Sequence, residues 1–184
     1  MSNQNISLSL PEEDLRAARI LAARRGTSVS QLLARMLREL VRMFVDTNIL
    51  LYAYDDSAGT KRDQARALLE ELWESREGCL SVQVLQEFFV NATRKIAKPL
   101  SAETAKEIVA DMSHWRVHVP AADDVLGAIG IHQRAGISFW DSMIVRSAAE
   151  MGCNVLYSED LNTGQDYSGV RVENPFQPPK ADPE

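Results

Sequence analysis

The chain has 184 residues, 45% hydrophobic and 25% charged, with a formal net charge of −6. That length holds one domain, or one ordinary domain beside a small one, and the composition excludes a disordered or fibrous chain. No apolar run is long enough to span a bilayer, and Cys79 and Cys153 form neither a CxxC pair nor a disulfide framework, so a soluble cytoplasmic protein with no membrane partner is expected.

The charge divides unevenly. Residues 1–42 carry seven arginines against four acids, a surplus of three, whereas residues 43–184 carry 13 basic and 22 acidic side chains, a deficit of nine. The sign changes where a helical, arginine-bearing stretch gives way to Met43, Phe44, Val45 and Asp46, which read as a fresh start. A boundary is placed there. It yields a small segment over 1–42, a larger domain over 43–176, and a proline-rich acidic tail over 177–184 that is expected to be disordered.

In the small segment, Ile6, Leu8 and Leu10 alternate with Asn5, Ser7 and Ser9, the period of a strand with one buried face, stopped by Pro11. Glu12, Glu13 and Asp14 suit a helix N-terminus, and Leu15, Ala18, Ile20, Leu21 and Ala22 continue that helix until Gly26 ends it. Ser28 and Gln31 fit a capping box for a second helix, whose apolar stripe is Val29, Leu32, Leu33, Met36, Leu37 and Leu40. One strand and two helices cannot bury these faces alone, so self-association into a homodimer or larger assembly is expected. The strand, proline, acidic helix start and Gly-Thr-Ser of residues 4–41 resemble the ribbon-helix-helix family. The resemblance implies paired strands in a DNA major groove, with Asn5, Ser7 and Ser9 facing the bases of an operator. It also implies a phosphate held by the backbone N–H groups around Thr27, Ser28 and Val29. A dimerisation module without a DNA role remains open, because the outward strand residues include no Arg or Lys.

From Met43 onward strands alternate with helices. Short strands are expected at "MFVD", "GCLSV", "RVHVP", "CNVLYS" and "GVRV". Helices are expected at "SAGTKRDQARALLEELWES", "QVLQEFFVNATRKI", "SAETAKEIVADMSHW" with Ser101 as N-cap, "ADDVLGAIGIHQRAG" and "SFWDSMIVRSAAEMG". That alternation predicts an α/β fold with a parallel sheet flanked by helices, whose functional residues gather beyond the C-terminal strand ends. Asp46 and Asp160 fall at such ends, while Glu87 and Asp141 lie on helices among apolar neighbours. Each has an ordinary explanation: Asp46 as the N-cap of a helix from Thr47, Asp141 as the reciprocal partner of Ser138 in a capping box, Asp160 as a turn residue, Glu87 as an exposed helix position. Together they suggest carboxylates gathered around a cation, and oxygen ligands of this kind suit Mg²⁺ or Mn²⁺.

The stretches "MFVDTNILLYAYD", "VLQEFFVNATRKI", "ISFWDSMIVRSAAEMGCNVLYSEDLNTGQ" and "GVRVENPF" resemble PIN-domain ribonucleases, in particular VapC-type toxins of type II toxin–antitoxin systems. The resemblance covers residues 43–176. It places the family's four acids on Asp46, Glu87, Asp141 and Asp160, and implies metal-dependent cleavage of RNA, typically a structured tRNA or rRNA. Asp46 and Asp141 are the expected direct ligands of the main metal, with Glu87 and Asp160 direct or water-mediated. Thr47 and Asn48 would orient carboxylate or water, and Asn91 would support Glu87 from one turn away. Arg94 and Lys95 read either as phosphate contacts or as a solvated helix end. Glu159 points away from Asp160 by alternation. His114, His118 and His132 show no zinc spacing, and Trp73, Trp115 and Trp140 read as core.

The expected function is therefore a Mg²⁺-dependent endoribonuclease toxin. The alternative is a DNA-binding autoregulator or dimerisation protein with a structural or silenced PIN domain. The joined chain looks like an antitoxin head on a toxin body without the inhibitory segment between them, and a separate antitoxin remains open as a partner.

Overall fold

The structure, a computed structural model, describes residues 9–177. It divides into two compact units at Leu40 and Val41. The strand expected over the first residues, with Asn5 and Ser7, lies outside the described residues, as does the tail from 178. Ser9 and Leu10 carry no regular structure and are exposed.

The first unit contains α1 (Glu12–Arg24) and α2 (Val29–Leu40). Pro11 precedes α1 in an extended conformation, and Glu12, Glu13 and Asp14 fill its first turn, where they complement the helix dipole. The helix ends at Gly26, whose φ of 62° is a conformation glycine adopts without a Cβ clash. The expected capping box opens α2. Gln31 N donates to Ser28 Oγ at 3.2 Å, and Ser28 N donates to Gln31 Oε1 at 3.2 Å.

The second unit is built on a six-stranded sheet. Its strands are β1 (Met43–Val45), β2 (Gly78–Ser81), β3 (Arg116–His118), β4 (Val155–Tyr157), β5 (Asp166–Tyr167) and β6 (Val170–Glu173), in spatial order β3-β2-β1-β4-β6-β5. All pairings are parallel except β5 with β6. The helices are α3 (Thr47–Tyr54), α4 (Thr60–Ser75), α5 (Val82–Ala92), α6 (Ala102–Met112), α7 (Ala122–Ala135) and α8 (Phe139–Glu150). Phe44, Val45, Leu80, Leu156 and Val172 are wholly buried between the layers. Each such side chain contributes about 1.5–3 kcal/mol relative to exposure. These five strands run in one direction, so the segments that leave their C-terminal ends all start at the same edge of the sheet.

Several elements differ from the sequence expectation. Helix α3 starts immediately after β1, where the sequence offers no signal beyond the capping potential of Asp46. Helices α5 and α6 stop three or four residues earlier than expected. In both, the first residue past the end is a hydroxyl that donates to the carbonyl four residues back: Thr93 to Phe89 O and Ser113 to Val109 O, both at 2.7 Å. That bond satisfies a terminal carbonyl from the side chain and lets the backbone leave the helix. The short β5 pairs with β6 through a two-residue turn, Ser168 and Gly169, with φ of 59° and 86°. Positive φ at both positions is the hairpin geometry that matches strand twist. Trp73 and Trp140 are not core: they are 46% and 63% exposed, and Trp115 is half-buried. Among the described residues no helix is long and apolar enough to cross a membrane.

Candidate active site

Asp46 follows β1 and caps α3. Its Oδ1 accepts from Thr47 N at 2.6 Å, and its Oδ2 accepts from Ser158 Oγ at 2.7 Å and Asn48 Nδ2 at 3.1 Å. The capping role is real, but it occupies one carboxylate oxygen and leaves the other in a polar cluster. Register explains the meeting with Ser158. Val45 lies beside Tyr157 in the parallel pair, so the next residue of each strand leaves the sheet at the same point. Ser158 Oγ also accepts from Asp160 N at 3.2 Å, and Asn48 Nδ2 reaches Asp160 Oδ2 at 2.9 Å. One amide thus stands between two carboxylates.

Glu87 comes from the middle of α5. Helix α5 starts directly after β2, with Ser81 Oγ accepting from Val84 N. Glu87 is half-buried rather than exposed. Thr47 Oγ1 donates to its Oε2 at 2.8 Å, and Gln83 Nε2, one turn earlier, donates to its Oε1 at 2.9 Å. Gln83 Nε2 also lies 3.3 Å from Trp140 O, which ties α5 to the start of α8. Asp141 lies in the first turn of α8. Its N–H donates to Ser138 Oγ at 3.1 Å, but among the described residues no reciprocal bond reaches its carboxylate. The box is half made, and the carboxylate faces the same pocket as the other three. That pocket, about 150 Å³, is lined by Asp46, Glu87, Asp141 and Asp160 with Thr47, Asn48 and Asn91.

Burial dominates the electrostatics. Asp46 is raised from 3.8 to about 7, first by loss of water and then by the neighbouring charges of Asp160 and Glu87, against the opposing hydrogen bonds from Ser158 and Thr47. The site is acid-rich, and among the described residues no cationic side chain lines it. Two buried carbonyl oxygens, Asn48 Oδ1 and Gln83 Oε1, have no donor. Among the described residues no three carboxylates, imidazoles or thiolates already converge closely enough to grip an ion. The arrangement still fits a hydrated hard cation. The ligand atoms are all oxygen, the charge needs neutralising, and water carried by the ion can donate to the two orphan carbonyls.

Gln83, Ser158 and Trp140 belong to this site, and the sequence reading does not assign them to it. Gln83 was detectable as the residue four before Glu87 on one helix face. Ser158 was detectable as the last residue of the expected strand "CNVLYS". Glu159 does point away, pairing with Lys61 instead. Arg94 and Lys95 are exposed beyond the end of α5. Thr27 and Ser28 belong to the first unit. Their backbone N–H groups donate to Ala22 O at 3.0 Å and Gln31 Oε1 at 3.2 Å, so both are already engaged within the chain.

Among solved structures, the Mycobacterium tuberculosis VapC20 toxin, described as cleaving the sarcin-ricin loop, is 21% identical with a TM-score of 0.51, over 64% of this chain and 89% of that one. The DNA-bound VapBC complex of Salmonella typhimurium gives 19% and 0.53, over 72% and 97%. VapBC2 of Rickettsia felis, bound to a promoter fragment, gives 18% and 0.53, over 73% and 98%. At these identities the likeness is one of fold. No curated protein matches. The PIN domain family matches residues 43–164, a stretch that contains all four acids and most of the chain. The protein belongs to the PIN-domain family.

Proposed function

We propose that the protein is a VapC-type endoribonuclease toxin that hydrolyses RNA phosphodiester bonds with Mg²⁺ or Mn²⁺. The observation that carries the reading is that Asp46, Glu87, Asp141 and Asp160 line one pocket beyond the C-terminal strand ends. When bound, a divalent cation there would lower the pKa of water and neutralise charge on the scissile phosphate. Asp46 and Asp141 would hold it directly, with Glu87 and Asp160 direct or through water. Thr47, Gln83 and Asn48 keep the Glu87, Asp46 and Asp160 carboxylates turned inward. Asn91 lines the wall on the Glu87 side. The N-terminal unit would serve self-association, with operator DNA as its further partner, and a separate antitoxin would restrain the nuclease.

Purified protein incubated with tRNA or rRNA is expected to cleave with Mg²⁺, to stop with EDTA, and to lose at least about a hundredfold in rate on Asp46→Ala, in line with removal of a metal ligand. Cleavage that survives both treatments would defeat the assignment.

A further inference from the structure

A second cavity lies at the opposite edge of the sheet. Gly78 opens β2 and Arg116 opens β3, and with Trp73, Arg76, His114 and Trp115 they line a space of about 410 Å³. The four acids line the pocket beyond the other ends of the strands. The size is that of a small-molecule site. No member of the pocket of acids is shared with it.

Three observations set it apart from an ordinary crevice. The first is charge. In a domain with 22 acids against 13 bases, no carboxylate among the described residues lines this cavity, whereas two guanidinium groups and an imidazole do. Among the described residues neither Arg76 nor Arg116 makes an ion pair. The second is the aromatic wall. Trp73 and Trp115 have ring centroids 6.3 Å apart at 45°, and Trp73 is 46% exposed. A Cβ at Gly78 would stand 2.3 Å from the Trp115 ring, so glycine there lets the indole lie directly against the strand backbone and fixes it. The third is Arg76 itself. It ends α4 in the left-handed region, φ 61° and ψ 27°, a position that favours glycine. The chain places a long cation where the backbone would prefer no side chain.

We propose that this cavity binds a nucleotide, with its base on the exposed face of Trp73 and its phosphate between Arg76 and Arg116. The two indoles are too close to admit a ring between them, since stacking needs about 3.5 Å on each side. The base therefore lies on the outer face of the pair. Planar guanidinium groups recognise phosphate through paired N–H donors, and an indole takes any base by its π-face. The ligand is a free nucleotide or an unpaired nucleotide of an RNA strand, and the same chemistry serves both. The proposal stands apart from RNA cleavage, because it uses none of the acids.

The test titrates the full chain, in EDTA, with ADP and separately with a short 2′-O-methyl oligoribonucleotide, read by calorimetry and indole fluorescence. Saturable one-to-one binding is expected. It should weaken about tenfold or more on Trp73→Ala and Arg116→Gln, the loss of one base stack or one phosphate contact, and persist in Trp73→Phe. Arg76→Gly should also weaken it while leaving the melting temperature equal or higher, a combination that a purely structural arginine would not give. Asp46→Asn should bind as the parent does. Tighter binding of the oligonucleotide than of ADP assigns the cavity to an RNA strand; the reverse assigns it to a free nucleotide. Binding of neither probe, or binding indifferent to Trp73→Ala and Arg116→Gln, would overturn the proposal.

Discussion

Asp46 is the residue where site and stability conflict. It is buried, it faces two further carboxylates, and it is raised from 3.8 to about 7. A carboxyl raised on folding binds its proton more tightly in the native state than in the unfolded one. Its favourable contribution is complete below pH 4 and is lost as the pH climbs through 7. Without metal, the fold is therefore weakened at neutral pH by a few kcal/mol at most, the order set by a shift of about three pK units. Asp46→Asn removes the charge and keeps an acceptor for Thr47 N, the Ser158 hydroxyl can rotate to accept instead of donate, and Asn48 Nδ2 loses this acceptor but keeps Asp160 Oδ2. The variant is expected to melt several degrees higher than the parent at pH 8 in EDTA, with the gain vanishing near pH 4. Mg²⁺ should raise the melting temperature of the parent and leave the variant unmoved. Calorimetric scans across that range check both, and a variant less stable at every pH would refute the account.

At the scale of elements, the loop after β4 is held by a lock outside the pocket. Lys61, in the first turn of α4, pairs with Glu159, and its Nζ lies 4.7 Å from the Tyr52 ring and 5.4 Å from the Phe176 ring. Tyr52 on α3 meets Phe176 edge-on at 5.2 Å, and Lys61 and Tyr52 together hold the Glu159 carboxyl below its usual range against burial. Glu159 precedes Asp160 directly, so the lock fixes where Asp160 points. The pair is partly exposed, so its removal costs under about 1 kcal/mol of stability. Function should suffer more. Glu159→Gln is expected to raise the Mg²⁺ concentration needed for half-maximal cleavage about tenfold, as loss of ligand support does, with little change in melting temperature. Activity assayed across a metal titration decides it. This lock was hidden in the sequence because its four members come from four separate segments. The strands and most helices were legible, since their periodicity is local. The early ends of α5 and α6 were not, because Thr93 and Ser113 are as compatible with a helix interior as with its end until the chain turns away. Asp46 and Asp160 stood out by position at strand ends, Glu87 and Asp141 by their apolar helix neighbours, and all four by the family resemblance; one pocket is lined by the four. Asp141 looked most like a capping residue, and only the unmade half of its box distinguishes it.

At the scale of the whole molecule, the second unit carries its own core. Among the described residues, its main buried cluster runs from Phe44 to Val172. Arg42, just inside the second unit, donates to Met151 O at 2.5 Å and fastens the entry to β1 against the end of α8. The first unit is poorer. Of its described residues only Ala22 and Leu32 are buried, while Ile20, Leu21 and Met36 stay 40–50% exposed. Two short helices on their own cannot offset the entropy of ordering them. Residues 41–184 alone should therefore fold, melt within a few degrees of the full chain and retain RNA cleavage. A peptide of residues 1–40 should be largely unfolded at low micromolar concentration and gain helix as it is concentrated, because a second copy is the simplest cover for its apolar faces. Circular dichroism against concentration and light scattering of the full chain measure this. A concentration-independent helical peptide, or a full chain that stays monomeric while 41–184 fails to fold, would show that the first unit is a support for the nuclease and not a self-association module.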